Sequence, residues 1–172
     1  MKRVSNLWNY IKEDIKGALD RFEQSLTSME IDAVKRGFWQ SKDYVGSDSD
    51  CFVCSYLRSS MITQSHRFKL AVYDKEPFVD ASVYHTFLDL SPLYVQVADD
   101  LESWEAKLRP KFSRIFPSEM EEIRRAYIER LYQHTSLLFE RVIRELSDGE
   151  KIVPVYFTEE MGDLKQIGVI GI

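Results

Sequence analysis

The chain has 172 residues, a net charge of −5, 44% hydrophobic and 30% charged residues, a balance that excludes a disordered polypeptide. No apolar run approaches the roughly 20 residues a bilayer-spanning helix needs, so no membrane partner is expected. The acidic balance argues against nucleic acid as a partner, because phosphate binding rests on clustered Lys and Arg.

The length suits a single α+β domain over residues 1–172 that buries a core without disulfides or a structural metal. Polar residues follow Met1-Lys2-Arg3-Val4 too closely for the apolar stretch of a signal peptide, so a cytoplasmic location is expected. Three Trp, nine Tyr and ten Phe supply large contact areas for a core, an interface or a ligand pocket.

In chain order, Leu7, Ile11, Ile15, Leu19, Phe22 and Leu26 recur at helical spacing, widened by Trp8 and Ala18, and predict an N-terminal amphipathic helix. Thr27 and Glu30 have capping-box spacing, and Gly37 after Lys35-Arg36 reads as the end of a short second helix. Lys42 to Asp50 is polar and turn-forming, hence a loop. Cys51 to Leu57 and His66 to Tyr73 read as strands, the second alternating Phe68, Leu70 and Val72 against Arg67 and Lys69. Asp74-Lys75-Glu76-Pro77 is a turn, and Phe78-Val79-Asp80 is expected to begin the return strand of a meander.

Ser91-Pro92 resembles an N-cap with proline at the first helical position, followed by Leu93, Val97, Leu101, Trp104 and Leu108 in a helix that stops before Pro110. The longest element is predicted from Ser118 to Leu146, with Met120, Ile123, Tyr127, Leu131, Leu138 and Val142 on one face. Ser118 and Glu121 have the spacing of its capping box, Gly149 that of a left-handed stop, and acidic and basic residues crowd the appropriate ends. Lys151 to Phe157, with Pro154 pushing it toward an edge or a bulge, and Gln166 to Ile172 form an expected C-terminal hairpin. The whole predicts an antiparallel sheet, a central meander plus a C-terminal hairpin, packed against three to four amphipathic helices.

Chemistry-bearing residues are sparse. Cys51-Phe52-Val53-Cys54 is a C-x-x-C, but on a strand positions i and i+3 face opposite sides, which suits neither disulfide exchange nor chelation. With two cysteines in the chain a zinc site is half complete, so Cys51 and Cys54 are only an alternative metal pair and no metal or other cofactor is expected. His66, His85 and Asp89 are the candidate catalytic residues, with Tyr84, His85 and Asp89 sharing a face if their segment is helical. His134 falls on the apolar face of the long helix and reads as a hydrogen-bonded core residue.

Asp48-Ser49-Asp50 resembles part of a calcium loop without its glutamate. The acidic stretch from Asp99 to Glu105 and the basic pairs Lys35-Arg36 and Arg124-Arg125 read as solvated helix faces. Phosphate loops, dinucleotide fingerprints, nucleophile elbows and H-E-x-x-H are missing from the sequence. Phe38, Trp39 and Tyr84 are the candidate binding residues, since adjacent aromatics at a helix end either anchor a loop or centre an interface.

The sequence therefore favours a non-catalytic binding or interaction protein that uses an aromatic-rich surface to meet another protein or a second copy of itself, as a homodimer. The alternative is an enzyme or small-molecule receptor with a pocket between sheet and helices near His66 or His85.

Overall fold

The computed structural model describes residues 2–26, 28–46, 50–159 and 162–172. Their elements are α1 (Lys2–Gln24), α2 (Ser28–Ser41), β1 (Cys51–Tyr56), α3 (Arg58–Thr63), β2 (Arg67–Tyr73), β3 (Tyr84–Asp89), α4 (Val97–Leu108), α5 (Pro117–Leu146), β4 (Ile152–Glu159) and β5 (Lys165–Gly171), with single 3-10 turns at Lys42–Tyr44 and Ser91–Tyr94. Among the described residues no helix is long and apolar enough to cross a membrane. The chain divides into two compact units, Met1–Leu26 with Leu93–His134 and Thr27–Pro92 with Thr135–Ile172.

The first unit contains α1, α4 and the part of α5 up to His134. The α1 stripe is as expected, with Leu7, Ile11, Ile15, Ala18, Leu19 and Phe22 buried. Between α1 and α4, Lys107 reaches Asp14 at 2.6 Å and Arg21 reaches Asp100 at 2.7 Å. Trp104 packs its ring against Tyr127 with centroids 4.7 Å apart. The start of α5 differs from the expected Ser118–Glu121 box. Pro117 occupies the first helical position, and Glu119 reaches back to accept the backbone N–H of Phe116 at 2.8 Å. A proline there loses nothing by lacking an N–H, and the third-position glutamate closes half of a capping box two residues earlier than Ser118 would. Glu121 is thereby free to bind Arg124 at 2.8 Å and Arg125 at 3.0 Å.

The second unit is built on a five-stranded sheet of order β3-β2-β1-β4-β5. The meander and the C-terminal hairpin both form, but the sheet is mixed and not antiparallel throughout, because β1 and β4 pair in parallel with Phe52 opposite Val155 and Cys54 opposite Phe157. Hairpins are written locally in turn residues, whereas a parallel neighbour is decided by a long connection, here through β2, β3, α4 and α5. Pro154 sits in β4, which is interior rather than at an edge. The parallel ladder begins one residue beyond it, and a register irregularity follows at Val155/Tyr156, so the missing N–H falls outside that ladder.

Phe52, Tyr56, Phe68, Leu70, Val72, Val155 and Phe157 alternate onto the sheet face that meets the helices, and all are buried. Phe38 of α2 stacks edge-on against Phe52 at 5.3 Å, and Phe139 of α5 lies 6.0 Å from Phe68 and 5.8 Å from Phe157. Each such side chain contributes about 1.5–3 kcal/mol of burial. The opposite face holds a smaller cluster of Cys51, Val53, Ala71 and Tyr73 with Phe78 and Tyr156 against it.

Several expected boundaries shift for identifiable reasons. Helix α2 continues through Gly37 to Ser41, because the glycine serves contact and not termination. A Cβ at that position would come 2.6 Å from Leu88 and 3.4 Å from Leu70. Gly149 is not a left-handed stop either, since no described glycine has positive φ. The return strand is Tyr84–Asp89, and Phe78–Asp80 lies in the preceding turn. Helix α4 starts at Val97, after the 3-10 turn that Ser91-Pro92 opens. Short α3 was unforeseen and brings the helices to five. The expected cap pair Thr27/Glu30 and most of Asp48-Ser49-Asp50 lie outside the described residues or side chains.

Candidate functional site

Within the second unit, the C-terminal ends of α2 and α5 and the last residues of the chain enclose a pocket of about 270 Å³. Its walls are Phe38, Trp39, Leu146, Ile170 and Ile172, with the backbones of Gly149 and Gly171, and its polar rim is Lys42, Glu145 and Asp148. The two adjacent aromatics divide their roles. Phe38 is 1% exposed and anchors α2 to the sheet, while Trp39 is 54% exposed and belongs to the pocket. One turn later, Lys42 places its ammonium 3.8 Å from the centre of the Trp39 ring. A cation over an indole face is held by the ring's quadrupole, worth about 0.5–2 kcal/mol depending on desolvation.

Glu145 is held from two sides, by Lys35 at 2.6 Å and by Arg141 at 3.7 Å. These contacts, led by the Lys35 hydrogen bond, keep its carboxyl below the usual range. The floor depends on glycine. The backbones of Lys151 and Ile172 exchange hydrogen bonds at 3.2 and 3.0 Å, which draws residues 171–172 so close to Gly149 that a side chain on Gly171 would meet the Gly149 carbonyl at 2.6 Å.

The expected catalytic residues lie elsewhere in this unit, and neither His66 nor His85 lines the pocket. His66 immediately precedes β2, is buried, and has a left-handed φ of 47°. Its carbonyl accepts the N–H of Leu90 at 3.2 Å, so His66 and Asp89 do meet at one end of the β2/β3 pair. The Asp89 carboxyl is held below its usual range mainly by hydrogen bonds from the Ser91 side chain and backbone, with smaller help from the charges of Arg67 and His66. His85 is separate. Segment 84–89 is a strand rather than a helix, so Tyr84 and His85 face opposite sides. Four residues of extended chain put His85 about 13 Å along the strand from Asp89, too far for the carboxylate to orient it. Tyr84 stacks on Tyr44 with centroids 4.1 Å apart, and His85 meets Phe87 edge-on at 5.7 Å.

Cys51 and Cys54 are both buried, unbridged thiols on β1. Burial, and secondarily the charge of Asp50, pushes the Cys51 pKa up to about 11, and complete burial pushes Cys54 up further. Among the described residues no group of three or more His, Cys, Asp or Glu could hold a metal ion. His134 is not a core residue. It is half-buried in the first unit and donates from Nδ1 to Glu23 at 2.6 Å.

Two further concavities occupy the first unit. One, of about 160 Å³, lies beside Tyr127, whose hydroxyl donates to Asp100 at 2.7 Å. The other, of about 540 Å³, runs between α4 and the start of α5, and its charged side chains pair with each other as Arg109–Glu105 and Arg124–Glu121.

Of the pocket residues, Phe38 and Trp39 were expected from sequence, whereas Lys42, Leu146, Ile170 and Ile172 were not. The i,i+3 spacing of Trp39 and Lys42 was the one local signal available. Comparison with protein-family models, curated proteins and solved structures finds no match.

Proposed function

We propose that this is a non-catalytic binding protein that recognises the apolar portion of a ligand in the Trp39 pocket. The observation that carries this reading is a half-exposed tryptophan standing over a concavity whose other walls are Phe38, Leu146, Ile170 and Ile172. Small-molecule sites combine mainly apolar walls with a few placed polar groups, and Lys42 and Glu145 meet that description. The binding of the neutral apolar probe N-phenyl-1-naphthylamine tests it. One saturable site per chain is expected, weakened at least tenfold by Trp39→Ala with the circular dichroism spectrum unchanged. Absence of saturable binding, or binding indifferent to the substitution, overturns the proposal.

Self-association is a second reading, favoured by the sheet face away from the helices. Its strand positions Phe87, Ile152 and Val169 are 49%, 61% and 42% exposed, apolar area that a second copy laid on this face would remove from water. Native mass spectrometry tests it. A dimer dissociated by Phe87→Glu supports this reading, and a monomer at every concentration removes it.

A further inference from the structure

We propose that the ligand of the Trp39 pocket is a small aliphatic monocarboxylate, with Lys42 as its counter-ion; this rests on the binding reading above. The charges around the pocket are unequal in their compensation. Glu145 is engaged by Lys35 and Arg141, so its charge is already offset and an alkylammonium ligand gains less from it. Asp148 is exposed and already solvated. Lys42 is half-buried, and among the described residues its ammonium has no carboxylate partner and only the Trp39 ring beneath it. A partly desolvated cation gains most from a charge-assisted hydrogen bond to an incoming carboxylate, and its remaining N–H groups can donate while the ring contact persists.

Size points the same way. At about 270 Å³ the pocket sits at the lower edge of the roughly 300–1,000 Å³ typical of small-molecule sites, which suits one acyl chain and not a folded partner's surface. Phe38, Leu146, Ile170 and Ile172 offer that chain apolar side chains.

Titration calorimetry with octanoate, 1-octanol and octylammonium separates the possibilities, because the three share a chain and differ in the head. The expected result is octanoate binding at least tenfold tighter than octanol, octylammonium binding weakest, and salt narrowing the differences. Lys42→Met, which keeps the stem, should bring octanoate and octanol to parity, and Lys42→Arg should keep the preference. Octanol equal to octanoate, octylammonium the tightest, or a leucine-terminated peptide binding more tightly than octanoate would each overturn the carboxylate assignment while leaving a binding pocket. Failure of all three compounds and of the naphthylamine probe would overturn the pocket reading itself.

Discussion

Gly149 and Ile172 touch backbone to backbone, closely enough that any side chain at position 149 would collide with the main chain of Ile172. That contact joins the turn after α5 to the end of β5 and forms the floor of the Trp39 pocket. It also explains a glycine whose φ is not positive, since close approach requires glycine as firmly as left-handed backbone does. Main chain cannot swing aside as a side-chain tip can. Gly149→Ala should therefore cost about 1–3 kcal/mol, read as a lower urea midpoint at unchanged slope, and should weaken naphthylamine binding. An alanine variant as stable as the parent would contradict the geometry.

In the first unit, the buried Tyr127 donates its hydroxyl to Asp100 Oδ2 at 2.7 Å, and Arg21 reaches Asp100 Oδ1 at 2.7 Å. Burial first, and the hydrogen bond to Asp100 second, push the Tyr127 pKa far up. Tyr127→Phe preserves the packing against Trp104 and deprives Asp100 of one donor. A loss of about 1–3 kcal/mol is expected, whereas Arg21→Ala, at an exposed site, should cost under about 1 kcal/mol. Equal effects would contradict this ordering.

The acid limb of stability should contain a contribution from Glu121. The hydrogen bond from Arg124, with help from Arg125, lowers its pKa from 4.5 to about 2. A carboxyl that titrates lower in the folded state contributes fully above its unfolded pKa and loses that contribution as pH falls through the folded value. The window is thus from about pH 4.5 down to about pH 2. Because the carboxylate is partly exposed and screened, the size is under about 1 kcal/mol. Glu121→Gln should flatten the stability-versus-pH curve in that window only, and an unchanged slope would rule the contribution out.

Thiol chemistry offers a sharper contrast. With Cys51 raised to about 11 and Cys54 higher still, neither is a thiolate at pH 8, and nucleophilicity belongs to the thiolate. Iodoacetamide should leave both unmodified in the native protein and alkylate both after denaturation. Rapid native labelling of either would contradict the burial of both thiols in β1.

Elements specified by local pattern were legible in the sequence. The α1 stripe, the α5 face, the four strands Cys51, Arg67, Ile152 and Lys165 begin, and the opposite-facing cysteines all follow from periods of 3.6 and 2. What escaped depends on residues far apart in the chain. Gly37 looks like a helix stop until Leu88 is packed against it, and the segment around Tyr84-His85 has no assignable period until β2 offers it a ladder. Ser118 appears the better cap than Phe116 because the sequence cannot show which carboxylate reaches back. The pocket was half legible. Trp39 announces itself as an aromatic at a helix end, but its companions Leu146, Ile170 and Ile172 reach it only through the parallel β1/β4 pairing and the hairpin that follows.

The most direct test of the binding reading is a titration of N-phenyl-1-naphthylamine followed by backbone amide NMR. Saturable shifts concentrated at Trp39, Lys42, Leu146, Gly149 and Gly171, with the Trp39 indole N–H among the largest and Trp8 and Trp104 unmoved, are the expected result. Shifts clustered instead around His66, His85 and Asp89, or spread without saturation over the chain, would contradict it.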